Sequence, residues 1–256
     1  MNTQKLKILP FLAFLLLFCG TVIPAQEIST EMETVNHTLF DRLLEKHVKN
    51  GVVDYKGLKQ DETTLEEYLG ILEKVDPDKL SRNDQFAFYI NAYNAWTIKL
   101  ILTGYPGVKS IKELGSFFKS PWKKKICRIG GKVITLDNIE HDILRPRFKD
   151  PRIHFAVNCA STDCPPLRKE AYRGSILDKQ LDDATKGFLN DPKKNYLAGE
   201  KLYVSKIFEW FGDDFDNRIV EFFLKYAQGD LKKNLLKNQD KIEVKYLDYD
   251  WSLNGR

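Results

Sequence analysis

Apolar side chains recur every three or four residues in several parts of the chain, which is typical of helices that bury one face. The pattern predicts helices over residues 34–50 and 62–75. Residues 86–103 are apolar on nearly every side, and Ser81 and Asp84 are placed to cap the helix N-terminus. Shorter helices are predicted at residues 110–118, 138–145, 175–189 and 218–228. We therefore expect two opening helices followed by a long, buried central helix.

Strand patterns are shorter and come later in the chain. Residues 126–129 and 132–136 flank Gly130 and Gly131, a pair that can adopt the positive φ angles of a two-residue hairpin turn. The other predicted strands are a buried one at residues 152–159, a short one at 202–205 and a half-exposed one at 241–251. Together the patterns predict an α+β fold, in which N-terminal helices and the long central helix pack on a small, mainly antiparallel sheet.

The first residues have the order of parts of a secretory signal peptide. Two lysines precede an apolar run over residues 8–23, and Ala25 follows at the position where signal peptidase would cut. The run is shorter than the roughly 20 residues that a membrane-spanning helix needs. Residues 1–25 are therefore predicted to be removed on export to the periplasm or the medium, which leaves one α+β domain over residues 26–256 and no transmembrane span. A retained membrane anchor and a lipoprotein attached through Cys19 are the alternatives.

Composition restricts the classes of partner. The formal net charge is +4, and the basic residues are dispersed among acidic ones apart from the triplet at residues 123–125. We therefore expect no nucleic-acid partner. The acidic cluster at residues 213–216 lacks the spacing of a calcium loop and is predicted to be a solvated turn. No nucleotide, sugar or phosphate motif is present, so no cofactor is expected, and the partner is predicted to be a substrate or a protein ligand.

Four motifs follow one another at residues 88–95 (FYINAYNA), 139–145 (IEHDILR), 150–156 (DPRIHFA) and 158–168 (NCASTDCPPLR). In this order they resemble the domain-of-unknown-function family 547, which occurs in bacteria and plants. The resemblance covers about residues 47–188, with weaker matches at 208–211 and near Trp251 in the C-terminal part, 200–256. It implies a type of domain and no reaction.

A weaker resemblance is to papain-like and transglutaminase-like folds, in which a central helix begins at the catalytic cysteine and packs on a sheet that brings a histidine. Here Asn91 and Asn94 occupy the first half of the corresponding helix. The resemblance therefore implies a possible fold and assigns no nucleophile.

Cys127, Cys159 and Cys164 remain after the predicted cleavage site, an odd number for a compartment in which disulfides persist. One interpretation is a Cys159–Cys164 disulfide that leaves Cys127 as an inert thiol. Another is a catalytic Cys159, because a helix N-terminus or an imidazolium lowers a thiol pKa and makes it a usable nucleophile. Zinc ligation by the cysteines and histidines is a third, but the spacing matches no common zinc motif, and no metal is expected.

The matched motifs contain two histidines, His141 and His154, that could act as a general base. On the predicted strand, His154 and Cys159 would point to opposite faces, so His141 is the predicted base for Cys159. Glu140 is predicted either to orient an imidazole or to cap its own helix.

Several further polar residues are candidates for ligand binding. Asn91 and Asn94 lie on one face of an apolar helix, where they line a polar site or form hydrogen bonds within the core. Arg145 and Arg168 could bind an anionic or carboxylate group, or form surface ion pairs. The predicted binding residues are His154, Asn91, Asn94, Arg145, Cys164 and Arg168.

Two functions are consistent with these residues. The first is an exported, thiol-dependent hydrolase or acyl transferase with Cys159 as nucleophile, His141 as base and Glu140 in support. The alternative is a non-catalytic envelope module that binds a ligand or a protein and contains a Cys159–Cys164 disulfide. The enzyme requires a free thiol at Cys159, and the module does not.

Overall fold

Residues 34–116 and 118–255 are described by the computed structural model of the chain. The predicted signal peptide, residues 1–25, lies outside the described residues. Within the described part, no helix is both long enough and apolar enough to cross a membrane.

Helices make up most of the regular structure. In chain order they are α1 (Thr38–His47), α2 (Tyr55–Gln60), α3 (Glu62–Lys74), α4 (Arg82–Leu102), the π-helix Asn138–Leu144, α5 (Arg145–Phe148), α6 (Leu177–Leu189), α7 (Ile207–Trp210), α8 (Ile219–Tyr226) and α9 (Gly229–Asn238). The helix predicted at residues 110–118 is limited to one 3-10 turn, Ile111–Leu114. The periodicity did not predict α9.

The central helix α4 is buried along nearly its whole length, as the sequence predicted. The Ser81 hydroxyl accepts a hydrogen bond from the Asp84 amide (3.2 Å), so the predicted cap forms. Helix α4 packs against α2, α3 and the π-helix. It is the element around which the larger of the two apolar clusters in the described residues is built.

The strands form three small sheets among the described residues. Antiparallel pairs join β1 (Val48–Lys49) to β2 (Val52–Val53), β3 (Cys127–Ile129) to β4 (Lys132–Ile134), and β5 (Tyr196–Ala198) to β6 (Lys201–Val204), and β7 (Glu243–Tyr246) runs parallel to β6. The β3–β4 turn has positive φ at Gly130 (+55°) and Gly131 (+71°), as its sequence predicted. The α+β class is confirmed, but a papain-like arrangement is not.

The buried strand predicted at residues 152–159 is wrong. Pro151–Phe155 is a 3-10 helix, and the chain beyond it is irregular. The Asp150 carboxylate accepts a hydrogen bond from the Arg152 amide (2.9 Å), and Pro151 has the fixed φ of a first helical position. Capping thus favours a helical turn, and the apolar residues are buried without a strand. The alternation that placed His154 and Cys159 on opposite faces does not apply.

The side-chain amides of two asparagines in α4 form hydrogen bonds with backbone groups of this irregular segment. The Asn91 amide donates to the Tyr172 carbonyl and accepts from the Tyr172 amide, both at 2.8 Å. The Asn94 amide donates to the Ala156 carbonyl (3.0 Å) and accepts from the Asn158 amide (2.8 Å). Each asparagine therefore supplies the donor and the acceptor that a neighbouring strand would provide. Of the two roles considered for them, hydrogen bonding within the core is the one observed.

Replacing Asn94 with alanine should destabilise the protein by about 2–5 kcal/mol, because the Ala156 carbonyl and the Asn158 amide would both lose a buried partner. Asn234→Ala is the matched control, since Asn234 is an exposed residue of α9 and should change stability by less than about 0.7 kcal/mol. Urea unfolding of the two variants measures both values. Equal free energies of unfolding for the two variants would contradict the bridging role of Asn94.

Candidate functional site

A cavity of about 240 Å³ contains most of the predicted site residues. The predicted residues that line it are Glu140, His141, His154, Cys159 and Cys164. Six aromatic side chains also line it: Tyr93, Trp122, Trp210, Phe211, Tyr249 and Trp251. We call this space the aromatic cavity. Sequence reasoning grouped the cysteines with the histidines and missed the aromatic walls, which come from distant parts of the chain.

The π-helix places Glu140 and His141 at the cavity. Its start is fixed by a reciprocal pair, in which the Asn138 amide donates to the Thr135 hydroxyl (3.0 Å) and the Thr135 amide donates to the Asn138 side chain (3.1 Å). Glu140 does not cap this helix; it is buried, and its carboxylate lies by Tyr93. Burial and this carboxylate hold the pKa of Tyr93 well above its usual range. π-Helices are rare and occur frequently at functional sites.

Cys159 and Cys164 form a disulfide with a Cα–Cα distance of 6.2 Å. Cys159 is partly exposed to the cavity, whereas Cys164 is buried. The third cysteine, Cys127, is a buried free thiol, and burial raises its pKa to about 12. In this structure neither cavity cysteine is a free thiol, and burial keeps the Cys127 thiol protonated, so no cysteine of the described residues is a thiolate nucleophile.

The disulfide loop is held by side-chain hydrogen bonds as well. Asn158 donates to the Pro165 carbonyl (2.7 Å) and accepts from the Ala160 amide (2.9 Å), so it joins the two ends of the loop. Closing a loop this short by a disulfide stabilises the fold by only about 2 kcal/mol in the chain-entropy estimate. The Asn158 hydrogen bonds are therefore of comparable importance to the loop.

A segment near the C-terminus covers the same loop from outside. The Asn254 amide donates to the Ala160 carbonyl (3.1 Å), and the Thr162 amide donates to the Ser252 carbonyl (2.7 Å). This segment, residues 249–254, also supplies Tyr249 and Trp251 to the cavity. The motif near Trp251 that the sequence matched only weakly is thus part of the site.

Two hydroxyl groups contact the sulfur of Cys159. The Ser161 hydroxyl lies 3.1 Å from this sulfur, and the Tyr249 hydroxyl lies 3.4 Å from it. Ser161 donates to Tyr249 (2.9 Å), which leaves the Tyr249 proton free to point at the sulfur. Burial raises the pKa of Tyr249, so this phenol remains a hydrogen-bond donor at neutral pH.

His154 is paired with an acid that the sequence assigned to a solvated turn. Its Nε2 donates to the Asp214 carboxylate (2.6 Å), which also accepts two hydrogen bonds from Arg145 (2.6 and 3.0 Å). Burial opposes ionisation of Asp214, but the His154 and Arg145 hydrogen bonds outweigh it and hold the pKa of this carboxyl well below its usual range. The sequence did not indicate that Asp214 pairs with His154, because the two residues are 60 positions apart in the chain.

Arg145 connects the two imidazoles. Besides Asp214, it donates to Nδ1 of His141 (3.0 Å). A guanidinium group has no acceptor, so Nδ1 of His141 carries the lone pair and the ring proton is on Nε2. Anion binding and ion pairing were both considered for Arg145, and in the structure it pairs with the Asp214 carboxylate and donates to the His141 imidazole.

The remaining predicted residues lie outside the cavity lining. Asn91 and Asn94 bond the backbone within the core, as described above. Arg168 pairs with Glu170 (2.5 Å) and lies near the Tyr172 ring (5.7 Å from the guanidinium carbon to the ring centre). No group of three or more His, Cys, Asp or Glu side chains within residues 34–116 and 118–255 is arranged to hold a metal ion.

Comparison with known proteins relates part of the chain to one family. No curated protein and no solved structure was found to match the sequence. A family model described as "Protein of unknown function, DUF547" matches residues 77–189. The matched residues contain all four motifs, whereas Asp214, Tyr249 and Trp251 lie beyond them. The match over residues 77–189 supports the resemblance of this part of the chain to the domain-of-unknown-function family 547.

Proposed function

We propose that this protein is an exported binding module that holds its ligand in the aromatic cavity and is not a thiol-dependent hydrolase or acyl transferase. The observation that carries the proposal is the Cys159–Cys164 disulfide in the cavity wall, because a sulfur in a disulfide is not a thiolate nucleophile. Disulfides persist in the periplasm and in secreted proteins, which agrees with the signal peptide predicted at residues 1–25.

The cavity has the composition of a ligand site. Ring faces provide apolar contact area, and Asp137, Glu140 and His141 provide a few polar groups that could orient a ligand. The cavity volume of about 240 Å³ is slightly below the range of sites for drug-sized ligands, whose lower end is about 300 Å³. The ligand is therefore expected to be a small molecule or one side chain of a protein partner.

The thiol-dependent hydrolase or acyl transferase is the second candidate, because Cys159, His141 and His154 line one cavity. For this function the base assignment changes. His154 has an orienting carboxylate in Asp214, the arrangement of a base and its support, whereas Nδ1 of His141 is bonded to Arg145. In that function a reduced Cys159 would pass its proton to His154 and attack an acyl carbonyl; the bond from the carbonyl carbon to the leaving group would break as the thioester forms, and the leaving group would take the proton from His154.

Mapping of the free thiols distinguishes the binding module from the thiol-dependent enzyme. We expect iodoacetamide, applied to the native protein without reductant at neutral pH, to leave Cys159 and Cys164 unmodified. After reduction both should be alkylated, and buried Cys127 should react only when the protein is unfolded, because its pKa is raised to about 12. Mass spectrometry of peptides locates the label. Fast alkylation of Cys159 without reductant would favour the enzyme instead.

Binding in the cavity is tested with Trp210→Ala. Trp210 lines the cavity and packs on Tyr249 and Trp251 at centroid distances of 4.8 and 5.5 Å. Aromatic fragments that bind the wild type, detected by ligand-observed NMR, should bind this variant roughly tenfold more weakly or worse. Tyr196→Ala removes a similarly exposed ring outside the cavity and should leave the affinities unchanged. Equal binding by the wild type and Trp210→Ala would exclude the cavity as the binding site.

A further inference from the structure

We propose that the Cys159–Cys164 pair is a thiol–disulfide exchange site whose substrate is a dithiol of a small molecule or a protein. This activity goes beyond the proposed binding function, because a disulfide that only supports a cavity wall does not need to exchange. The inference rests on the access to each sulfur and on the hydrogen-bond donors placed at both.

The two sulfurs differ in access. Both cysteines line the cavity, but Cys159 is partly exposed, whereas Cys164 is only 6% exposed. An incoming thiolate can therefore reach the Cys159 sulfur more easily, and the Cys164 sulfur would be the leaving group.

The leaving sulfur, that of Cys164, already accepts a hydrogen bond. The Cys159 backbone amide donates to the Cys164 sulfur at 2.8 Å. A hydrogen bond to an ionised acceptor is roughly twice as strong as one to a neutral acceptor. This amide therefore stabilises a Cys164 thiolate more than it stabilises the disulfide, which favours reduction of the pair.

The attacked sulfur, that of Cys159, also has a hydrogen-bond donor beside it. A thiolate on Cys159 would accept a hydrogen bond from the Tyr249 hydroxyl, which in turn accepts one from Ser161. Because burial keeps the Tyr249 phenol protonated, the donor is retained at neutral pH. Both products of reduction are thus stabilised by groups that are in place before the reaction.

The loop does not rely on the disulfide for its position. Asn158 joins its two ends, and the Ala160 carbonyl and Thr162 amide are bonded to the segment 249–254. Both sulfurs should therefore stay close together after reduction, which is needed for the pair to be oxidised again.

The exchange balances as follows. One thiolate of the dithiol attacks the Cys159 sulfur, the S–S bond breaks, and its electron pair leaves on Cys164 as a thiolate. The second thiolate of the dithiol then attacks the dithiol sulfur of the mixed disulfide, and Cys159 leaves as a thiolate. The dithiol is oxidised by two electrons and releases two protons, and the cysteine pair is reduced by two electrons.

The test is a redox titration of the signal-cleaved chain in glutathione buffers. Samples are quenched with acid and labelled with a maleimide, and the oxidised fraction is measured by mass spectrometry. We expect the wild-type pair to be reduced within the millimolar range of glutathione. Tyr249→Phe should lower the equilibrium constant for reduction about tenfold, because the Cys159 thiolate loses a charge-assisted hydrogen bond. Tyr196→Phe, an exposed phenol outside the cavity, is the control and should match the wild type.

A second readout separates an effect on the thiolate from an effect on folding. In the reduced protein, the pH at which alkylation of Cys159 reaches half its maximal rate should rise in Tyr249→Phe and remain unchanged in Tyr196→Phe. If Tyr249→Phe does not fold, Ser161→Ala tests the same chain of hydroxyl groups. A pair that remains oxidised throughout the titration, or a Tyr249→Phe variant identical to the wild type in both readouts, would overturn the proposal. Fragment binding in the cavity is measured separately, so either proposal can fail alone.

Discussion

The structure depends on how a buried, irregular stretch of backbone obtains its hydrogen bonds. Between Ala156 and Tyr172 the chain is mostly buried and contains no helix or strand. Unpaired amides and carbonyls there would each cost about 1–3 kcal/mol. Asn91 and Asn94, on the most buried helix of the fold, supply the missing partners. Asn91 and Asn94 thus anchor the two ends of the stretch that carries both cavity cysteines, and the hydrogen bonds of Asn158 and of the segment 249–254 hold the loop between them.

A second constraint acts on the opposite wall of the cavity. Asp214 accepts hydrogen bonds from His154 and from Arg145, and Arg145 in turn holds His141. One carboxylate thus fixes the orientation of two imidazoles that belong to different elements. Phe211 stacks on His154 with ring centres 4.1 Å apart, which limits rotation of that ring from the other side. The imidazoles are held in place before any ligand arrives.

The sequence predicted what short-range patterns determine. Helix α4 with its Ser81 cap and the Gly130-Gly131 hairpin follow from periodicity and turn chemistry, and both are confirmed. The segment at residues 152–159 was assigned wrongly, because an apolar run indicates burial without specifying the backbone, and the Asp150-Pro151 cap determined the local structure. Asp214 and Tyr249 could not be identified as site residues, since they join the site through contacts 60 or more residues away, which no local pattern records. Trp251 was marked only by a weak family match.

The segment at residues 249–254 has a consequence for the order in which the site is assembled. Cys159 and Cys164 are five residues apart, whereas Tyr249 follows Cys159 by 90 residues. If the chain is exported as proposed, starting from its N-terminus, both cysteines meet oxidants well before Tyr249 can reach them. The disulfide can therefore close on a bare loop, and the phenol is placed against a bond that already exists. The oxidation state of a newly exported molecule would then be set by the kinetics of export and oxidation, and only later by the finished cavity.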